Sequence, residues 1–196
     1  DAGVHAQEQV IHFETQTTRT EGAWLFGGNA NLPSDVNFKW AKEVNDDFHA
    51  RFNAHARSYE YKIHHHPVRS SLKTGYYLWE PRSLNIDDMK KAAAFLVGEH
   101  DFSCFRGSMC QAKSPIKIIE YLQIDEIGDD LIIKIKANAF LHHMVRNLVG
   151  TLLKIGREEE NPEWMLSVLD SKDRKEAGPT AEPQGLYFIK AHYQSL

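Results

Sequence analysis

The feature that most constrains the fold is an unbroken apolar stripe. Leu141, Met144, Val145, Leu148, Val149 and Leu152 recur at helical spacing up to Gly156, which predicts a helix with one full apolar face. Such a helix needs a second layer to cover it. Its other faces carry His142, His143, Arg146 and Asn147. Arg146 stands at the margin of the stripe, where its guanidinium either snorkels to water over an apolar stem or meets a buried carboxylate or phosphate. Spacing leaves both readings open.

The covering layer reads as a sheet. Tyr59, Tyr61 and Ile63 alternate with Ser58, Glu60 and Lys62, the clearest strand in the chain. Residues 116–127 and 131–137 flank Gly128-Asp129-Asp130 and predict an antiparallel hairpin. Shorter patterns predict strands at 9–13, 36–40 and 186–193, with a turn over 29–33. One helix follows Ile86, Met89, Ala93, Leu96 and Val97, with Asn85 as N-cap, Asp88 three residues on and Gly98 at its end. Another begins at Asn161-Pro162-Glu163 and runs through Trp164, Met165, Val168 and Leu169. Irregular alternation with a hairpin argues for α+β layers over a doubly wound parallel sheet. The stretch from Pro67 to Pro81 reads as a boundary or a long surface connection.

Composition narrows the class. With 196 residues, 42% hydrophobic and 26% charged, the chain can bury a core without disulfide or metal support. Cys104 and Cys110 match neither a zinc site nor a secreted disulfide framework, so a reducing compartment, the cytoplasm, is expected. No stretch approaches the roughly 20 apolar residues of a membrane span. Lys+Arg 23 against Asp+Glu 27 gives a net charge of −4, which opposes a uniformly basic nucleic-acid coat but allows a local basic cleft. The run His64-His65-His66, with His142-His143 elsewhere, invites a metal. Neighbours on a strand face opposite sides, however, and no HExxH spacing occurs, so solvated or RNA-facing histidines fit better. Asp1-Ala2-Gly3-Val4-His5 reads as the middle of a loop entering a strand, with residues expected upstream; alone it is ordinary turn chemistry.

Several stretches then stand in a telling order: Asp1-Ala2-Gly3-Val4-His5-Ala6, Asn29-Ala30-Asn31-Leu32-Pro33, Asp46-Asp47-Phe48-His49-Ala50-Arg51-Phe52, Ala56-Arg57-Ser58-Tyr59-Glu60-Tyr61 and Gly98-Glu99-His100-Asp101-Phe102. Residues 136–147, with Phe140-Leu141-His142-His143-Met144-Val145-Arg146-Asn147, and Gly185-Leu186-Tyr187 complete the set. In that order they resemble the TruA family of tRNA pseudouridine synthases over essentially the whole chain. The family's Gly-Arg-Thr before the aspartate, and its opening strand, helix and second strand, are not in this sequence.

The resemblance implies a pseudouridine synthase fold of class α+β: a mixed, mainly antiparallel sheet flanked by helices, with two α/β halves around a central cleft. Residues 1–55 would be the remainder of the N-terminal half and 56–196 the C-terminal half. The implied activity is isomerisation of uridine to pseudouridine at positions 38–40 of the tRNA anticodon stem-loop. No cofactor and no metal is implied; tRNA is the partner, and the enzyme is a cytoplasmic homodimer. Asp1 takes the nucleophile's place, Tyr59 would stack on the target uracil, Arg146 would pair with Asp1, and Leu186 would close the apolar side of the pocket. Arg51 and Arg106 stand inside matching motifs and lead the candidates for phosphate contact, ahead of Arg19, Lys39, Lys42, Arg57, Lys113 and Lys117. Two alternatives stand beside this reading: an inactive tRNA-binding fragment of the same fold, and a metal-dependent hydrolase built on the histidine pairs.

Overall fold

A computed structural model describes residues 1–194. In chain order its elements are β1 (His5–Ala6), α1 (Glu21–Asn29), β2 (Ala56–His65), β3 (Leu78–Glu80), α2 (Ile86–Ala94), β4 (Gly98–Asp101), β5 (Ile116–Ile127), β6 (Asp130–Ala137), α3 (Met144–Gly156), α4 (Trp164–Ser171) and β7 (Leu186–His192). Residues 1–9 and 55–194 form one compact unit; residues 10–54 form a second.

The larger unit is a seven-stranded sheet ordered β1-β7-β2-β6-β5-β4, with β3 added beside β2. Pairing is antiparallel except for β1 with β7 and β2 with β3, so the α+β expectation holds. The hairpin β5–β6 turns at Gly128, whose φ of 60° lies in the left-handed region that glycine adopts without strain. Tyr61 and Ile63 on β2 and Ile133 and Ile135 on β6 are fully buried beneath the helical layer. Each such side chain contributes about 1.5–3 kcal/mol through burial.

The apolar stripe becomes α3, but the helix is covered on more than its stripe. Asn147 and Thr151 are as buried as Leu148 and Leu152. The polar pair survives burial because Asn147 Nδ2 donates to Phe105 O (2.8 Å) while its Oδ1 accepts from Arg174 (3.0 Å) and Thr180 (2.6 Å), and Thr151 Oγ1 accepts from Gly178 N–H (2.9 Å). Segment 174–181 therefore lies on this face of the helix. Asn85 caps α2 as expected, accepting from Asp88 N–H at 3.1 Å, although the helix ends at Ala94 and Gly98 opens β4. Asn161 accepts from Trp164 N–H at 2.9 Å and starts α4.

Three expectations are corrected, and one element was not expected. Residues 9–13 and 36–40 belong to no strand of the sheet; Ile11, Phe13, Val36 and Trp40 are exposed. Residues 67–81 are not only a connection, since 78–80 join the sheet as β3. Residues 21–29, unassigned by pattern, form α1. Its start is fixed by Thr20, whose hydroxyl accepts from Ala23 N–H (3.2 Å), and within the smaller unit Asn29 clamps Phe38 through both its amide groups.

Candidate active site

The first turn of the chain sets the site. Val4 N–H donates to Asp1 O at 3.3 Å across a turn whose third residue, Gly3, has φ 83°, the left-handed backbone a type II turn demands. Beyond the turn, β1 is pinned twice: His5 pairs in register with Tyr187 and its ring stacks on Tyr187 and Tyr76 at 4.7 and 5.2 Å. Asp1 is thereby delivered beside the head of α3. Arg146 Nη1 donates to Asp1 Oδ2 at 2.9 Å, so the arginine at the stripe's margin meets a carboxylate.

Arg146 is itself held. Its Nε donates to Ala181 O (2.8 Å) and its own carbonyl accepts from Ala181 N–H (3.1 Å), locking one turn of α3 to segment 174–181. Its side chain is only 13% exposed, and burial lowers its proton affinity while leaving guanidinium charged at any physiological pH. Two imidazoles also approach the carboxylate. His142 Nε2 lies 3.2 Å from Oδ1 and His143 Nε2 lies 3.1 Å from Oδ2. Burial, then the neighbouring ring of His142 and the charge of Arg146, pushes the His143 imidazole below its ordinary value. Sequence reading placed both histidines on outer helix faces, four and three residues before Arg146.

Tyr59 and Tyr61 share one face of β2. Tyr59 offers ring edges to Phe140 and Phe188 at 4.8 and 5.2 Å, and burial raises its phenol. Tyr61 is fully buried and donates to Glu182 O at 2.6 Å. Leu186, paired with Tyr61 in the sheet, is buried at the start of β7. Gly185 before it packs against the Tyr61 ring, where a Cβ would come within 2.7 Å. Asp1 and Arg146 thus meet directly, while Tyr59 and Leu186 occupy the neighbouring strands β2 and β7.

The remaining cations divide. Arg106 donates to Cys110 O (3.0 Å) and Ala112 O (2.8 Å), bracing its own loop. Lys117 is buried and spends its ammonium on Ser114 O and Ile116 O, so it is removed from the phosphate candidates. Arg57 donates to Asn138 O at 3.0 Å. Arg51, in the smaller unit, lies 5.7 Å from the Phe52 ring centre. Of the histidine run, His64 is buried and contacts Asp130 (3.0 Å), which also receives Lys73, so it is tied into an ion-paired cluster. Among the described residues the donor atoms of Asp1, His142 and His143 lie within 4.8 Å of one another.

Comparison with known proteins identifies relatives of the chain. Residues 92–194 match the family model described as tRNA pseudouridine synthase. The chain is 50% identical over 193 residues to tRNA pseudouridine synthase A of Nitrosococcus oceani, covering 98% of this chain and 74% of that protein. The enzymes of the same name from Vibrio campbellii and Coxiella burnetii are 49% and 45% identical, again over 98% of this chain and 73% and 74% of theirs. Identity at this level along nearly every residue, with the family model spanning α3 and β7, means that the chain belongs to the tRNA pseudouridine synthase family.

Proposed function

We propose that this isomerase converts uridine to pseudouridine at positions 38–40 of the tRNA anticodon arm, with Asp1 as its nucleophile. The observation that carries the reading is the 2.9 Å ion pair between Asp1 and Arg146, which joins the residues that the family resemblance pairs. In the reaction the N1–C1′ bond breaks, the uracil turns, C5 bonds to C1′, and the C5 hydrogen leaves as a proton while N1 regains one. Redox state is unchanged. The carboxylate attacks the sugar or the base, or takes a sugar proton, and each route needs it ionised in a site that the flipped nucleotide has dried. Arg146 favours the ionised form because an adjacent cation stabilises the charge.

The detached uracil must stay bound while it turns. A tyrosine face suits this, since stacking tolerates rotation in the ring plane, and Tyr59 takes that role with Leu186 on the apolar side. Arg51 and Arg106 contact phosphates, and the enzyme works in the cytoplasm as a homodimer with tRNA across both subunits; these follow from the family resemblance. Among the described residues no helix is long and apolar enough to cross a membrane.

The test is tritium release from tRNA labelled at uracil C5, using this chain, a form extended upstream of Asp1, and Asp1→Asn in both. Release that Asp1→Asn abolishes, with tRNA affinity kept within a few fold, supports the reading. Undiminished release by Asp1→Asn removes the nucleophile, and release from uridines outside 38–40 alone removes the assigned positions.

A further inference from the structure

We propose that His142 and His143 act as a paired positioning clamp on the Asp1 carboxylate, His142 hydrogen-bonded to Oδ1 through Nε2 and His143 holding Nε2 3.1 Å from Oδ2. The inference rests on the reading of Asp1 as nucleophile and adds residues to it. Successive residues at a helix start normally send their side chains in divergent directions. Here both rings reach one carboxylate, because His143, directly before α3, takes a left-handed backbone with φ 61° and ψ 4°. That conformation is rare for a residue bearing a Cβ, and such outliers gather where function requires them. The two imidazoles stack with centroids 3.8 Å apart and planes 26° from parallel.

The pair is supported from behind. Gly107 N–H donates to His142 O (2.8 Å), and His142 N–H donates to Cys110 Sγ (3.3 Å). A Cβ on Gly107 would fall 2.9 Å from His142 Nδ1, so the loop backbone presses against the ring. This contact leaves Nδ1 of His142 buried with no hydrogen-bond partner among the described residues. A proton there would be wasted; at Nε2 it meets Asp1. Burial, the neighbouring His142 ring and the charge of Arg146 disfavour the cation on His143. A divalent ion on the same atoms would share Oδ2 with the Arg146 guanidinium 2.9 Å away, which favours donation to the carboxylate over metal ligation.

The clamp differentiates the two oxygens. Oδ2 accepts from Arg146 and has the His143 Nε2 3.1 Å away, whereas among the described residues Oδ1 meets only His142. The open lone pair therefore belongs to Oδ1, the oxygen presented to substrate, while Oδ2 anchors the charge.

The experiment compares His142→Phe and His143→Phe, which keep a ring but lose the donor, with His142→Gln and His143→Gln, whose amide N–H reaches a similar position. Turnover and KM are read by tritium release from C5-labelled tRNA, with tRNA affinity and thermal unfolding measured alongside. The clamp predicts kcat lowered about 10- to 100-fold in each Phe variant with KM within about twofold, the cost of misplacing a reacting group, and recovery to within about fivefold in the Gln variants. Unchanged kcat in both Phe variants overturns the clamp, as do equal losses in Phe and Gln or a loss confined to KM. Asp1→Asn in the same series separates the two claims. Inactive Asp1→Asn beside fully active Phe variants removes the clamp alone, whereas active Asp1→Asn removes the nucleophile and the clamp with it.

Discussion

Gly150→Ala should damage both stability and catalysis. Gly150 sits inside α3, where a Cβ would lie 1.7 Å from the Pro179 carbonyl oxygen and 2.9 Å from its carbon. Real Cβ contacts stop near 3.0 Å, so the backbone at 179 must retreat by about 1.3 Å, and it cannot swing aside as a flexible side chain would. Alanine inside a helix gains about 0.5–1 kcal/mol over glycine; overpacking costs about 1–3 kcal/mol. The second effect wins at all but its lowest value, for a net loss of up to about 2.5 kcal/mol, or up to roughly 10 °C in Tm at this chain length. The retreating segment also carries Ala181, whose carbonyl and N–H hold Arg146. A shift of about 1 Å at a catalytic group costs on the order of 100-fold in rate, so kcat should fall by about that factor. Circular dichroism melts and tritium release measure the two effects. Gly27→Ala in α1, with nothing within 4 Å of its new methyl, is the control and should leave both unchanged or slightly raise Tm. Wild-type Tm and turnover in Gly150→Ala would refute the argument that this close approach seats Arg146.

Other outcomes follow from buried charge and thiol chemistry. Burial pushes the Glu80 carboxyl up, but hydrogen bonds from Arg82 and Arg157 outweigh it and hold the group below its ordinary value. Glu80→Ala should cost about 3 kcal/mol, the lower end for breaking a buried pair because Arg82 is half exposed. A depressed carboxylate contributes stability above its unfolded value near 4.5 and loses it as pH falls through the folded one. The Tm gap between wild type and Glu80→Ala should therefore narrow from pH 6 to pH 3, and a gap that widens contradicts the assignment. Cys104 is fully buried with its thiol pushed up to about 12, whereas at Cys110 burial is outweighed by N–H donors from His142 and Ala112 and by the charge of Arg106, which lower it. Native protein should thus yield one fast-reacting thiol to a disulfide reagent, located at Cys110 by mass spectrometry; two equally fast thiols contradict this. Tyr59→Phe should retain turnover within a few fold if stacking is the ring's task, and loss of turnover with tRNA affinity intact would assign work to the hydroxyl.

The sheet and the long helix were legible because burial imposes a period on sequence. Tyr59, Tyr61 and Ile63 had to alternate to fill one face of β2, and Leu148 and Leu152 had to recur to cover it. α1 escaped because none of its residues is buried and glycines interrupt it, leaving no stripe to read. The patterns at 9–13 and 36–40 misled for the converse reason: alternation signals a strand only where a neighbouring backbone accepts the ladder. Arg146 was visible as an arginine in need of a partner, but the identity of that partner came from family likeness. The histidines were beyond pattern altogether, since their meeting at one carboxylate depends on a left-handed residue and on a chain turn 141 positions away.

That distance governs the order of assembly. Asp1 and Arg146 are 145 positions apart, and the turn bearing Asp1 is anchored through β1 to β7, which follows every other strand and helix described. Closing so large a loop is entropically unfavourable until the intervening sheet has formed. A nascent chain emerging from a ribosome therefore holds its carboxylate far from its arginine until β7 is in place. The ion pair is thus a late contact, formed after the strands that separate its two partners in sequence.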